Sequence, residues 1–172
     1  MERPIVDLDA AWRELYVEHR RAVFAVCYSL LGNVADADNA AQDTFLKAAR
    51  HLKRLPEVRD ARLWLTRIAV RTCLDQRKSF WGRLFHSKAE VPDQMPGGTG
   101  PEQELLAGEE QEKLRRSLQQ LPEKQRVAVT LRFYHDLDTV GIARVMGISS
   151  GAVKTHLHRG LRKLKTLYEV EP

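Results

Sequence analysis

Thr139-Val140-Gly141-Ile142-Ala143-Arg144-Val145-Met146-Gly147-Ile148-Ser149-Ser150-Gly151-Ala152-Val153-Lys154-Thr155-His156-Leu157-His158-Arg159 spells a short helix, a glycine turn and the opening of a second helix that runs to Tyr168. Asp138 or Thr139 can cap the first helix, and Ser149 or Ser150 the second. Gly147 is where the chain must take a positive φ, and Ile148 then tucks into the angle between the helices. At about 100° per residue, Val153, Leu157, Leu161, Leu164 and Tyr168 share one stripe of the second helix. Lys154, Thr155, His158, Arg159, Arg162 and Lys165 fall on the opposite arc, and from Ser149 to Tyr168 there are five Lys/Arg and no acid. An apolar stripe backed by a face of donors is what a helix reading the major groove requires, with Ser149, Ser150 and Gly151 at its leading end. A solvated basic surface helix would show the same pattern. His156 and His158 point about 200° apart on a helix, so no metal site is expected there.

Upstream, the pattern is helical throughout. Apolar positions at spacings of three and four predict one helix from Leu8 to Leu31, stopped by Gly32-Asn33, and a second from Ala35 to Leu52. Pro56 breaks the chain, and a third helix is predicted from Asp60 to Phe80 with Ala61, Trp64, Leu65, Ile68, Ala69, Thr72 and Cys73 as its inner stripe. Between His86 and Glu104 the composition turns to Pro92, Pro96, Gly97, Gly98, Gly100 and Pro101, which predicts a linker. Leu105, Leu106, Leu114, Leu118 and Leu121 predict a helix ended by Pro122, and Val127, Val129, Leu131 and Phe133 the one after it. The expected architecture is all-α, with two small helical domains, residues 1–85 and 105–172, joined by a flexible acidic linker, 86–104.

Composition removes other classes. The 172-residue chain has no uncharged stretch longer than Ala22–Ala35, fourteen residues, whereas a bilayer span needs roughly 20. Met1-Glu2-Arg3-Pro4 is not the start of a secretory signal, and a cytoplasmic protein is expected. Cys27 and Cys73 sit in helical segments without a pairing pattern and are expected as buried thiols. No phosphate-binding glycine loop, nucleophile elbow or metalloprotease signature occurs, so a non-enzymatic protein without a cofactor is expected.

Charge is segregated. The net +5 resolves into +4 over residues 1–85, −3 over 86–104 and +4 over 105–172. Residues 59–85 alone carry a local +5, and residues 33–46 hold Asp36, Asp38 and Asp43 with no base. Two basic faces on one tether suit two contacts on one DNA.

Asp36-Ala37-Asp38-Asn39-Ala40-Ala41-Gln42-Asp43-Thr44-Phe45-Leu46-Lys47-Ala48, followed by Trp64-Leu65-Thr66-Arg67-Ile68-Ala69, resembles the first domain of the extracytoplasmic-function sigma factors of the sigma-70 family. Leu121-Pro122-Glu123-Lys124-Gln125-Arg126, Leu131-Arg132-Phe133, Ile142-Ala143 and Gly147-Ile148-Ser149 resemble that family's promoter-reading domain. The resemblance implies a monomeric initiation subunit that binds core RNA polymerase and promoter DNA. Asp36, Asp38, Asn39, Gln42, Asp43, Phe45 and Leu46 would dock on polymerase. Arg59, Arg62, Arg67, Arg71, Arg77 and Lys78 would hold the melted minus-ten element, arginines suiting a single-stranded backbone. Ser149, Ser150, Gly151, Lys154, Thr155, His158, Arg159 and Arg162 would read the minus-thirty-five element. An anti-sigma factor is a usual partner in the family.

Trp64 is expected in the core rather than as a stacking platform, and Phe80, Trp81 and Phe85 have no assigned role. Relative to the family pattern, Asn39 replaces an Asp and removes a charge facing polymerase. Arg71 replaces an Asn and trades a base-reading amide for a phosphate-seeking cation. Asp43 stands for Glu, His156 for Arg and Gly141 for Glu; Gly141 costs its helix about 1 kcal/mol of propensity relative to Ala. The linker acids Glu90, Asp93, Glu102 and Glu104 suit a basic channel of the polymerase. A regulator that binds an operator without polymerase is the alternative, and the acidic helix discriminates, because a repressor has no need of it.

Overall fold

The computed structural model describes residues 7–86 and 108–170, with the side chains of Pro56 and of residues 79–86 outside that description. The expected linker 86–104, Leu105, Leu106 and the side chains of Phe80, Trp81 and Phe85 therefore fall outside the described residues, apart from the backbone of the helical residues. All regular elements among the described residues are helical.

Helix α1, Leu8–Leu31, starts at Asp7, whose carboxylate accepts from the amides of Asp9 and Ala10. It ends at Gly32, where φ is 84° and the glycine amide bonds Tyr28 O at 2.8 Å. Helix α2, Val34–Ala49, opens with a reciprocal cap: Asn33 Oδ1 accepts from the Asp36 amide at 2.8 Å and Asn33 Nδ2 donates to Asp36 Oδ2 at 2.7 Å. The second helix ends three residues earlier than the periodicity predicts, and a 3-10 helix, Leu52–Glu57, which includes Pro56, follows it. Helix α3, Ala61–His86, begins one residue later and ends six residues later than expected. In the second unit come α4, Glu109–Gln119, α5, Glu123–Tyr134, α6, Thr139–Met146, and α7, Ser150–Val170.

Val23, Val26, Cys27 and Leu30 of α1 pack on Ala37, Ala40, Ala41, Phe45 and Ala48 of α2 and on Leu65, Ala69, Val70 and Cys73 of α3. The alanines of α2 let its backbone approach its neighbours closely, while each fully buried Leu or Val contributes about 1.5–3 kcal/mol. Trp64 is half-buried against this core, as its place on the apolar stripe predicts. Cys27 and Cys73 are buried free thiols. Their mutual hydrogen bond and their burial push the Cys27 pKa far above that of an exposed thiol.

The core does not stop at the first unit. Val127, Ala128 and Leu131 of α5, Ile142 and Val145 of α6 and Val153 of α7 belong to the same apolar cluster. Helices α4 and α5 pack on α1, and α6 packs on α3. The two helical units thus close on each other. A smaller cluster of Leu118, Leu121 and Val129, covered by Leu114, Leu157, Leu164 and Leu167, holds α4, α5 and α7 together. At the α5–α7 crossing a Cβ on Gly160 would lie 2.9 Å from Val129 Cγ2, so the absent side chain permits the close approach.

Candidate functional site

Asp138 Oδ1 accepts from the Gly141 amide at 2.7 Å and starts α6. A Cβ on Gly141 would stand 3.2 Å from that same oxygen, so the glycine leaves room for the capping carboxylate. Helix α6 ends at Gly147 with φ 66°, the glycine amide bonding Ala143 O at 2.9 Å. Ile148 is half-buried in the angle, and Ser149 Oγ accepts from the Ala152 amide at 3.1 Å to open α7. The helix, turn and helix read from residues 139–168 are all present.

On α7, Lys154, Thr155, His158, Arg159 and Arg162 are exposed, as are Ser149 and Gly151, while Ser150 is half-buried. Thr155 Oγ1 donates to Gly151 O at 3.1 Å. Val153 and Gly160 are buried on the opposite side. Leu161 departs from the expected apolar stripe: it is 39% exposed and, with Leu114, Leu164 and Tyr168, lines an open groove of about 410 Å³ between α4 and α7. Lys113 lies over the Tyr168 ring at 4.6 Å and Glu110 accepts the Tyr168 hydroxyl, which clasps the two helices at that end.

The basic residues of α3 divide into two groups. Arg59, which precedes the helix, and Arg67, Arg71 and Lys78 are exposed. Arg62, exposed as well, and Arg77, half-buried, also bond main-chain carbonyls: an Arg62 Nη donates to the carbonyl of His135, and Arg77 Nη1 donates to Leu30 O at 3.1 Å. The guanidinium of Arg77 therefore serves the end of α1 in this structure instead of an open face.

Along α2, Asp36, Asp38, Asn39, Gln42, Asp43 and Leu46 are exposed, Leu46 at 61%. Gln42 Nε2 donates to Asp38 Oδ2 at 2.9 Å, so this face is ordered by its own side chains. Phe45 does not join it. Its ring is 6% exposed and meets the edges of Trp12 and Tyr16 at centroid distances of 6.1 and 4.8 Å. Phe45 is a core residue beneath the acidic face, because α2 turns it about 100° away from Leu46.

Four residues escaped the sequence reading. Arg126 is 3% exposed and donates to Leu118 O, Gln119 O and Leu121 O at 2.8–2.9 Å and to Leu30 O at 3.2 Å. Gln119 Nε2 donates to Ser29 O at 2.8 Å, and Arg115 donates to Gly32 O. His135 is 1% exposed, and both its ring nitrogens lack partners. Burial, and then the nearby Arg62, lower its pKa to about 4. The signal for Arg126 was present: a cation directly ahead of the apolar run Val127–Leu131, on a helix that must be buried. Nothing local marks the other three.

Residues 15–82 match the family model for sigma-70 region 2, and residues 111–164 the model for sigma-70 region 4. The chain is 32% identical over 167 residues to the ECF RNA polymerase sigma factor SigL of Mycobacterium tuberculosis, covering 94% of this chain and 91% of SigL. It is 27% identical over 165 residues to the ECF RNA polymerase sigma factor SigW of Bacillus subtilis, covering 90% and 87%. Among solved structures, the sigma factor RpoE of Bartonella quintana, in complex with the anti-sigma factor NepR, superposes with a TM-score of 0.79 at 18% identity, covering 94% of this chain and 99% of RpoE. CnrH in complex with the cytosolic domain of CnrY gives 0.70 at 23% identity, covering 95% and 91%.

Proposed function

The chain belongs to the extracytoplasmic-function RNA polymerase sigma factors of the sigma-70 family, and from that premise we propose which of its surfaces meet polymerase and which meet promoter DNA. As a sigma factor it binds core RNA polymerase and directs initiation at promoters. The observation that carries the assignment is the segregation of exposed charge on separate helices of one fold. Helix α7 offers Lys154, Thr155, His158, Arg159 and Arg162 to the major groove at the minus-thirty-five element, with Ser149, Ser150 and Gly151 at its leading end. Arg59, Arg67, Arg71 and Lys78 offer cations to the melted minus-ten strand, joined by Arg62 and Arg77 once these leave their carbonyl partners.

Asp36, Asp38, Asn39, Gln42, Asp43 and Leu46 dock on a basic apolar-edged surface of the polymerase, the carboxylates steering the encounter and Leu46 supplying the contact that excludes water. Phe45 supports this face from below. The polymerase supplies the chemistry of RNA synthesis; the chain itself is not an enzyme and uses no cofactor. No helix among the described residues is long and apolar enough to cross a membrane, and the protein works in the cytoplasm, as a monomer when free. The relatives solved with anti-sigma factors support an anti-sigma partner here as well.

The test is promoter-dependent transcription with purified core enzyme on genomic fragments. Run-off products that require both core and this chain are expected. Duplex binding without core-dependent initiation would favour a regulator that binds an operator alone.

A further inference from the structure

Cys27 on α1 and Cys73 on α3 are the two cysteines of the chain, and both are 0% exposed in the core of the first unit. The packing sets them opposite each other. About one turn beyond each, Arg77 Nη1 donates to Leu30 O at 3.1 Å, which fixes the register of α3 against α1. At that register the two thiols are in hydrogen-bond contact. Thr44 of α2, also 0% exposed, lies beside Cys27. Lys47, a turn along α2 from Thr44, donates to Thr72 Oγ1 at 3.0 Å, next to Cys73 in the chain. Ala48 of α2 and Ala69 of α3 are small neighbours in the same core and let the backbones approach. A single buried cysteine packs as a small apolar residue, but two in mutual contact on different helices are one oxidation short of a covalent bond.

We propose that Cys27 and Cys73 form a modification site, which a hydroperoxide oxidises to an intrachain disulfide that staples α1 to α3 beneath α2. This goes beyond the sigma-factor assignment and does not depend on it. Neither sulfur meets solvent, and the contact with Cys73, together with burial, keeps the proton on Cys27. Oxidation therefore starts from a local opening of the bundle, in which the first thiol reached attacks the peroxide. An S–O bond forms, the O–O bond breaks, and the alcohol or water leaves with the thiol proton, giving a sulfenic acid. Reclosing returns the partner sulfur to contact. It attacks the sulfenic sulfur, the S–S bond forms, the S–O bond breaks, and hydroxide leaves as water with the second thiol proton. In sum, two thiols and one hydroperoxide give one disulfide, one alcohol or water, and one further water. Sulfur atoms already in contact need close by only about an ångström or two to reach the bonded separation of about 2.05 Å. In a reducing compartment the pair rests as thiols, so the staple forms only when peroxide outruns reduction. Once formed, it constrains the unfolded chain and favours the bundle that carries the acidic face of α2.

The test uses the full chain, reduced, freed of reductant and exposed to hydrogen peroxide. Thiols are counted after denaturation, the intact mass and the joined peptides are read by mass spectrometry, and thermal unfolding is followed with and without added dithiothreitol. Both thiols are expected to disappear together, with a loss of two hydrogens and a peptide that joins Cys27 to Cys73 within one chain. The oxidised chain should melt about 5 °C or more above the reduced one, and dithiothreitol should abolish the difference. Cys27→Ala with Cys73→Ala, treated alike, accounts for oxidation of Met1, Met95 and Met146 and should show no rise in melting temperature. Cys27→Ala alone should take up oxygen at Cys73 in place of the bond. The comparison of oxidised with reduced parent needs no substitution, so a variant that folds poorly leaves the test intact. Both thiols retained after overnight peroxide, oxygen uptake by the parent without the bond, a bond formed only between chains, or an oxidised chain that melts at or below the reduced one would overturn the proposal.

Discussion

Arg126 on α5 and Leu30 at the end of α1 are 96 positions apart and joined by a hydrogen bond of 3.2 Å, one of four that a single buried guanidinium makes to main-chain carbonyls. Two helix C-termini, those of α1 and α4, converge on this one cation, and their dipoles supply the counter-charge that no carboxylate provides.

Replacing Arg126 by Met should therefore cost at least about 3 kcal/mol, since several buried carbonyls lose their donor at once. Arg126→Lys should recover little, because an ammonium lacks the planar fork that reaches four acceptors. Urea denaturation of the two variants checks both statements, and a loss below 1 kcal/mol for Arg126→Met would contradict the bonding scheme.

His135 links stability to pH. Its pKa is lowered from the ordinary 6.5 to about 4 by burial and by Arg62, with Asp136 opposing. The unfolded chain thus binds the proton more readily than the folded one, and stability is fully present above the unfolded value. It should fall as pH drops from 6.5 toward 4, by up to about 1.4 kcal/mol per pH unit. Unfolding measured across this range should lose that slope in His135→Leu, which has no proton to take up.

The exposed cations of α7 should be separable from its fold. Lys154→Ala and Arg159→Ala are expected to leave the melting temperature unchanged and to weaken binding to a minus-thirty-five duplex. Each lost phosphate contact lowers the dependence of log K on log salt by about 0.9. A variant with unaltered affinity and salt slope would remove that residue from the interface.

On α2 the face and the core should give opposite signatures. Asp38→Lys and Asp43→Lys should weaken core-enzyme binding about tenfold at low salt and less at high salt, with the fold intact. Phe45→Ala should cost about 3–5 kcal/mol of stability through the cavity it leaves. Core affinity titrated at two ionic strengths, beside thermal denaturation, distinguishes them.

Much of this was legible in the chain. Asp138 and Ser149, two of the residues read as caps, do cap their helices, and Gly32 and Gly147, read as stops, take the positive φ that ends two of them; the caps Asp7 and Asn33 were not singled out. Caps and glycine turns are local chemistry, readable within four residues. The apolar stripe of α7 was misread only at Leu161, because periodicity assigns a face to a residue without saying how far the neighbouring helix extends. Phe45 was grouped with its polar neighbours for the related reason that adjacency in sequence is not adjacency on a helix.

By itself the sequence determined the helical segments, the glycine turns at Gly32 and Gly147, and the separation of acidic and basic faces, since each follows from interactions within a turn or two of chain; the ends of α2 and α3 it placed three and six residues away from where they fall. Only the tertiary structure decided that Arg77 and Arg126 share one carbonyl, that Arg62 answers to His135, and that the two units continue a single core. A stripe of apolar residues states that a face is buried and is silent about its partner. A carbonyl at a helix end accepts any donor that the packing delivers, so pairings between residues 73 or 96 apart arise only when the helices meet.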